Sequence, residues 1–377
     1  MRGVLSVLAL SLVVAPSAGV AQTLKNPNVG SGLSEQRSTL VVGEVVSELA
    51  KNAMIVFQGK NDDYWFGSDG QGVYRYDGKI LTRLTTKHGL SHNRIRGIQE
   101  DRSGHVFFTT LGGIDKFDGR TIVKLPPTRS RAPDQGWKLQ PDDLWFASNQ
   151  DDNGPYRFDG ETLYDLEFPK HDLEDGFYAK VPNAPYNPYQ VYTVYKDRGG
   201  HIWLGTSTFG ACRFDGKSLS WLYEKHLTQI GENGSFGIRS IIEDKAGKFW
   251  FCNTRHRFTI FPDQAAEKKK GLIDYVSYHR EPGIDDLKTA DGEDLIYYMS
   301  IVEDKKHNLW MATYGLGVWR YDGAKLTHYP IKDGGKNVRL FSISKDNRGD
   351  LWLGTHEAGA YKFNGETFEK FRPRAHE

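Results

Sequence analysis

The sequence predicts an all-β fold: a single seven-bladed β-propeller with four antiparallel strands in each blade. Three observations point there. An aromatic-anchored phrase recurs seven times, centred on Trp65, Phe107, Trp145, Trp203, Trp250, Trp310 and Trp352, at spacings of 42, 38, 58, 47, 60 and 42 residues. That is the period of propeller blades. An Asp-x-x-Gly turn precedes several anchors, as in Asp101 to Gly104, Asp197 to Gly200 and Asp346 to Gly349. An Asp-Gly or Asn-Gly pair follows most of them, at Gly78, Gly119, Gly160, Gly216, Gly323 and Gly365.

Taken in order, residues 1–21 read as a secretory signal. Arg2 is its basic start, Val4 to Ala15 its apolar run, and Gly19-Val20-Ala21 its small-residue cut. Residues 22–44, with Gly30, Ser31 and Gly32 and few aromatics, read as a linker or arm, and residues 45–377 as the propeller. One repeat illustrates a blade. Ile238, Ile241 and Ile242 begin a buried strand, Lys245 to Lys248 turn the chain, and Phe249 to Cys252 form the next strand. The Asp-Gly pairs predict type I′ hairpins between the third and fourth strands. The fifth copy has Pro262-Asp263 there, which predicts a looser corner. One such sheet has aromatics on both faces, so it needs neighbours to bury them. The repeated Trp residues are therefore read as blade-to-blade packing.

Composition excludes some functions. Without Arg2 the chain carries 48 basic and 48 acidic residues. It thus lacks the basic excess that nucleic-acid binding requires. No segment beyond the signal is apolar for long enough to span a bilayer. Cys212 and Cys252 lie in neighbouring repeats, either bridged in an oxidising compartment or both buried as small hydrophobes. No cofactor, no metal and a monomer are expected.

Several phrases resemble the two-component regulator propeller repeat: Ile238 to Asp244, Leu309 to Thr313, Leu351 to Thr355, Gly317 to Gly323 and His88 to Ile95. The resemblance runs over about residues 54–371. It implies a periplasmic or secreted ligand-sensing propeller, often one that senses glycans. The sequence has no kinase or DNA-binding segment, so the expectation is an exported binder of a glycan fragment, a small anionic ligand or a protein partner. The alternative is a secreted carbohydrate-active enzyme, foremost a polysaccharide lyase.

A site is expected on the face that carries the inter-blade links and the connections between second and third strands. The spacings of 58, 47 and 60 reflect inserts at 165–191, 221–237 and 264–296, read as links on that face. Its polar and aromatic residues include the candidate ligand-binding set Arg96, Arg239, Arg339, His92, Arg255, His256, Tyr314 and His356. Arg94, His226, Tyr297, Asp69, Asp151, Asp152 and Glu357 share the face. Arg96 and Arg239 each stand five residues before the Asp of a turn, and Arg339 is displaced from that place by two. Such guanidinium groups either take a carboxylate or sulfate bidentately or pair with acids of neighbouring blades. An elimination on a uronate would need an Arg to neutralise the carboxylate, a base and an acid, for which His256 between Arg255 and Arg257 is the local candidate. Glycoside hydrolysis would need two facing carboxylates, and Asp151, Asp152 and Glu357 are available. Asp151-Asp152-Asn153 lacks a calcium-loop spacing.

Overall fold

An Asp–Trp pair builds four of the seven repeat units. In the computed structural model, which describes residues 43–131, 136–149, 151–229, 236–265, 271–284, 287 and 298–373, the turn Asp closes its loop twice. Gly349 N donates to Asp346 O (2.9 Å), and Asp350 N donates to Asp346 Oδ1 (2.8 Å). The other carboxylate oxygen accepts the indole N–H six residues on, from Trp352 (3.0 Å). The same bond joins Trp203 to Asp197, Trp250 to Asp244 and Trp310 to Asp304, at 3.0, 2.8 and 2.8 Å. All seven anchors are buried. In these four units the indole thus enters the core with its one polar atom satisfied, whereas the Trp65 and Trp145 indole nitrogens find no hydrogen-bond partner among the described residues.

A second recurring device fixes the opposite end. Thr355 Oγ1 donates to Gly359 O (2.7 Å) and accepts from Ala358 N (2.9 Å), bracketing the connection between second and third strands. Ser68, Thr206 and Thr313 bracket theirs in the same way, onto Gly72, Gly210 and Gly317. The Gly of the Leu-Gly-Thr phrase has a packing reason. A Cβ on Gly354 would lie 1.8 Å from the Met54 carbonyl oxygen, because the innermost strand of the next unit crosses there.

The described strands form six sheets of four or more strands and one two-stranded hairpin, Lys332–Asp333 with Lys336–Asn337. The first sheet holds four strands between Ala53 and Leu84, plus Glu44–Val45 on its outer edge. The second spans residues 95–124, the fifth 300–329 and the sixth 340–370, each with four antiparallel strands in chain order. The fourth has eight, because its two four-strand runs, 191–222 and 241–282, meet through a parallel pairing of Ser220 and Trp221 with Asp274 and Tyr275.

The third sheet departs from four antiparallel strands. Its outer strand, Pro127–Arg131, runs parallel to Leu163–Glu167. Pro126 and Pro127 carry no N–H, which suits them to a sheet edge rather than an interior position. Arg129 and Arg131 then clasp Glu167 at 2.8 and 2.6 Å.

The sixth sheet packs on the first. Ser342 Oγ and Ser344 Oγ donate to the Met54 and Val56 carbonyls (2.6 and 3.0 Å), Tyr64 OH donates to Asp346 (2.8 Å), and Phe66 meets Trp352 edge-on. The two ends of the repeat array are thereby in contact.

Two expectations are corrected. The Asp-Gly hairpins are not type I′: positive φ falls on Gly78 (93°) and not on Lys79, while Asp77 N donates to Ile80 O and Asp77 Oδ1 accepts from both Lys79 N and Ile80 N. Gly at the first central position is the type II′ pattern, and the Asp side chain sits outside the two-residue loop. The segment 264–296 is not all link, since Asp274–Pro282 is a nine-residue strand paired with His256–Ala265. Of the two alternatives for Cys212 and Cys252, the structure has the second: both are free, buried thiols, in separate core clusters. The signal and nearly all of the arm, residues 1–42, and Tyr297 lie outside the described residues. No helix among those described is long and apolar enough to cross a membrane.

Candidate functional site

The strand course places the inter-sheet links and the second-to-third-strand connections on one face. The sixth sheet shows this directly: Leu340–Lys345 leaves that face, Leu351–Thr355 returns to it, and Ala360–Phe363 leaves again. Arg339 and His356 sit at the upper ends of adjacent strands there, and His356 N donates to Arg339 O (3.0 Å).

Around them gathers the first of two clusters. Arg339 donates through Nε to Glu357 Oε2 (2.9 Å) and through its backbone N to Oε1 (3.0 Å). Its Nη1 reaches Tyr314 OH at 3.4 Å, and its guanidinium lies 6.0 Å from the Tyr314 ring. The His356 ring is edge-on to Tyr314 and Phe341, at 5.4 and 5.5 Å between centroids. Burial, and then the positive charge of Arg339, pushes the His356 pKa below its ordinary value, with Glu357 and Asp69 opposing. Arg96 also acts on His356, which ties in the first and second sheets. Arg96 Nη2 donates to Asp69 Oδ1 (3.1 Å), and Arg94 Nε lies 3.6 Å from the same oxygen. His92 Nδ1 accepts from Arg94 N (3.0 Å), and Asn93 O accepts from Gly70 N and Gly72 N, pinning the link to the Asp69 loop.

The second cluster belongs to the fourth sheet. Arg239 lies 4.1 Å from the Tyr192 ring centroid and 4.9 Å from that of Phe236, and its Nε donates to Phe236 O (3.2 Å). Arg239 and Arg96, equivalent in sequence, therefore have different partners: an aromatic slot in one case, an acid in the other. His226 and His256 meet edge-on at 5.9 Å. His226 Nε2 is 2.6 Å from Glu224, which also accepts from Tyr278 OH (2.7 Å) and Arg280 (3.2 Å). Burial acts to raise the Glu224 pKa, but the His226 and Tyr278 hydrogen bonds and the nearby charges outweigh it and bring it down to about 2. Glu224 therefore stabilises the fold above the ordinary carboxylate range and loses that contribution as pH falls through about 2. Glu224→Gln is expected to lower the urea midpoint at neutral pH and to leave it nearly unchanged near the depressed pKa. Equal loss at both pH values would rule out a charged role for Glu224.

Arg255 offers its carbonyl to Ile284 N, and Arg257 turns to Glu281 (3.4 Å), so the Arg-His-Arg run disperses along a strand. The Asp151-Asp152-Asn153 loop is engaged internally. Asp152 Oδ2 accepts from Asn149 N and Tyr156 OH, and Asn153 Oδ1 accepts from Asn187. No group of three or more His, Cys, Asp or Glu among the described residues is placed to hold a metal ion. Sequence reasoning missed Phe341, Tyr192, Tyr278 and Arg280. The last two were hidden because their strand was read as a loop, and the aromatics look like any core position.

The two component regulator propeller model matches residues 185–208, the strand pair of the first run of the fourth sheet, and so bears out the resemblance. No curated protein matches the chain. Among solved structures, the extracellular domain of a protein from B. thetaiotaomicron described as a one component system is 20% identical, with a TM-score of 0.54 over 84% of this chain and 40% of that one. Virginiamycin B lyase from Staphylococcus aureus is 12% identical, with a TM-score of 0.56 over 85% of this chain and 97% of that one. PorZ, a surface component of the type-IX secretion system of Porphyromonas gingivalis, is 14% identical, with a TM-score of 0.51 over 83% and 46%. The chain spans about two fifths of the length of the first of these. These likenesses establish an all-β, propeller-like fold.

Proposed function

We propose that the chain is a seven-bladed propeller acting outside the cytoplasm, which binds a ligand, in the first instance a glycan fragment, without chemically changing it. The seven blades count the fourth sheet as two, joined by its outer strands, with the ring closed by the contacts of the sixth sheet on the first. One observation carries the binding reading. The Arg339–Glu357 pair lies against Tyr314, which is 47% exposed, and the Arg96–Asp69 pair acts on the adjacent His356. Planar donors and acceptors beside an open aromatic face match the hydroxyl edges and flat apolar face of a pyranose. Export, the arm at 22–44 and the sensor-like role follow the same reading. Titration calorimetry against oligosaccharide pools tests it: saturable heat is expected from at least one pool. No heat from a folded sample, with a protein partner captured at this face instead, would replace the glycan by a protein.

A second reading, elimination on an acidic polysaccharide, moves from His256 to Arg339, His356 and Tyr314, which supply a cation, a neutral imidazole and a phenol within one contact shell. Against it, His356 Nε2 is buried and has no hydrogen-bond partner among the described residues, so it does not face a substrate. New absorbance in the unsaturated-uronate band over a panel of acidic polysaccharides would revive it; none is expected.

A further inference from the structure

A groove of about 770 Å³ opens at the other rim, where the Asp304 and Asp346 turns and the Asn364 hairpin lie, between the fifth and sixth sheets. That size is within the range of small-molecule sites. Six cations line it: Lys305, Lys306, Arg320, Lys362, Lys370 and Arg372. Lys362 is neutralised by Asp350 and Lys370 by Asp333, each at 2.8 Å. The remaining four cations face only two further lining acids, Asp304 and Glu369. Both acids already have work: Asp304 accepts from Trp310 and Asn308, and Glu369 accepts from Asn364. The groove therefore carries a positive excess in a protein that is otherwise nearly balanced, at net +1.

Arg320 makes the excess specific. Its guanidinium lies 5.8 Å from the Trp310 ring centroid and touches Thr327; it forms no ion pair among the described residues, and the acid its charge acts on is Asp322, outside the groove lining. Its Nε is buried with no hydrogen-bond partner among the described residues, so a group that enters the groove would meet the outer nitrogens of the guanidinium. Phe363 and Phe371 supply an apolar wall beside it.

We infer that this groove is an anion site, separate from the proposed binding face, for a small molecule that joins a dianionic phosphate monoester to a ring. The phosphate supplies close to two negative charges at neutral pH and three acceptor oxygens, matching the positive excess and the lysine and arginine donors of the lining. The ring takes the Phe363–Phe371 wall. Binding should weaken with salt, since the lysines stand at the surface.

Titration of the full protein with phenyl phosphate, inorganic phosphate and benzoate at low salt is the test. Phenyl phosphate is expected to bind at least about tenfold more tightly than either of the others, the value of one charge-assisted hydrogen bond or of the apolar contact. Lys306→Gln with Arg372→Gln, both exposed and free of ion pairs among the described residues, should lose about the same factor while the thermal midpoint stays put. Arg339→Ala, on the other face, should change nothing here. No saturable binding, benzoate binding as tightly as phenyl phosphate, or an undiminished double variant would each overturn the inference. None of these outcomes bears on glycan binding at the Arg339 face.

Discussion

Trp250→Ala is expected to destabilise the protein by about 3–5 kcal/mol, the usual loss for a buried aromatic cut back to a methyl. Trp250 is fully buried in a cluster that runs from the fourth sheet to Met311 and Trp319 of the fifth, and its ring lies 6.0 Å from that of Tyr321. The truncation removes that packing and also strands Asp244 Oδ2, which loses the indole donor at 2.8 Å. A carboxylate left short of partners at a buried turn adds to the cavity cost. Trp250→Phe separates the two terms: it keeps most of the apolar contact and loses only the hydrogen bond, so it should cost about 1–2 kcal/mol. Urea unfolding by intrinsic fluorescence reads both. Equal losses in the two variants would mean that the Asp–Trp bond, rather than the packing, holds the unit.

Arg339→Ala is expected to weaken ligand binding about tenfold to a hundredfold, the loss of a bidentate charge-assisted contact, with little change in stability. The side chain of Arg339 is 53% exposed, and its partner Glu357 keeps access to water, so removal buries no orphan. Such exposed pairs contribute little to folding. Arg339→Lys should restore the charge and not the planar fork, leaving binding well short of the original. A collapse of stability in Arg339→Ala would show the residue to be a structural tie.

Much of the fold was legible because its construction is local. The turn Asp reaches the Trp six residues on, and the bracketing Thr reaches the Gly four residues on, so short phrases carry the geometry. What stayed hidden depends on distant segments. Pro127–Arg131 lies against Leu163–Glu167, and Asp274 against Ser220, pairings that no local pattern announces. The hairpin type was misread because Asp-Gly suits a type I′ loop, whereas the Asp77 carboxylate here caps the two amides beyond Gly78. The site divides likewise. Arg96, Arg339, Tyr314 and His356 were recognisable as occupants of one face. That Arg239 would lie on Tyr192, while its sequence equivalent Arg96 would take Asp69, depends on which side chain the neighbouring unit presents.

Hydrogen–deuterium exchange with and without the oligosaccharide pool that gives heat tests the central claim most directly. Slower exchange is expected in residues 314–317, 339–341 and 356–359, with the turn amides of 304–308 on the other rim unchanged. Protection confined to that rim, or to the outer strands, with none around Arg339 and His356, would contradict the account.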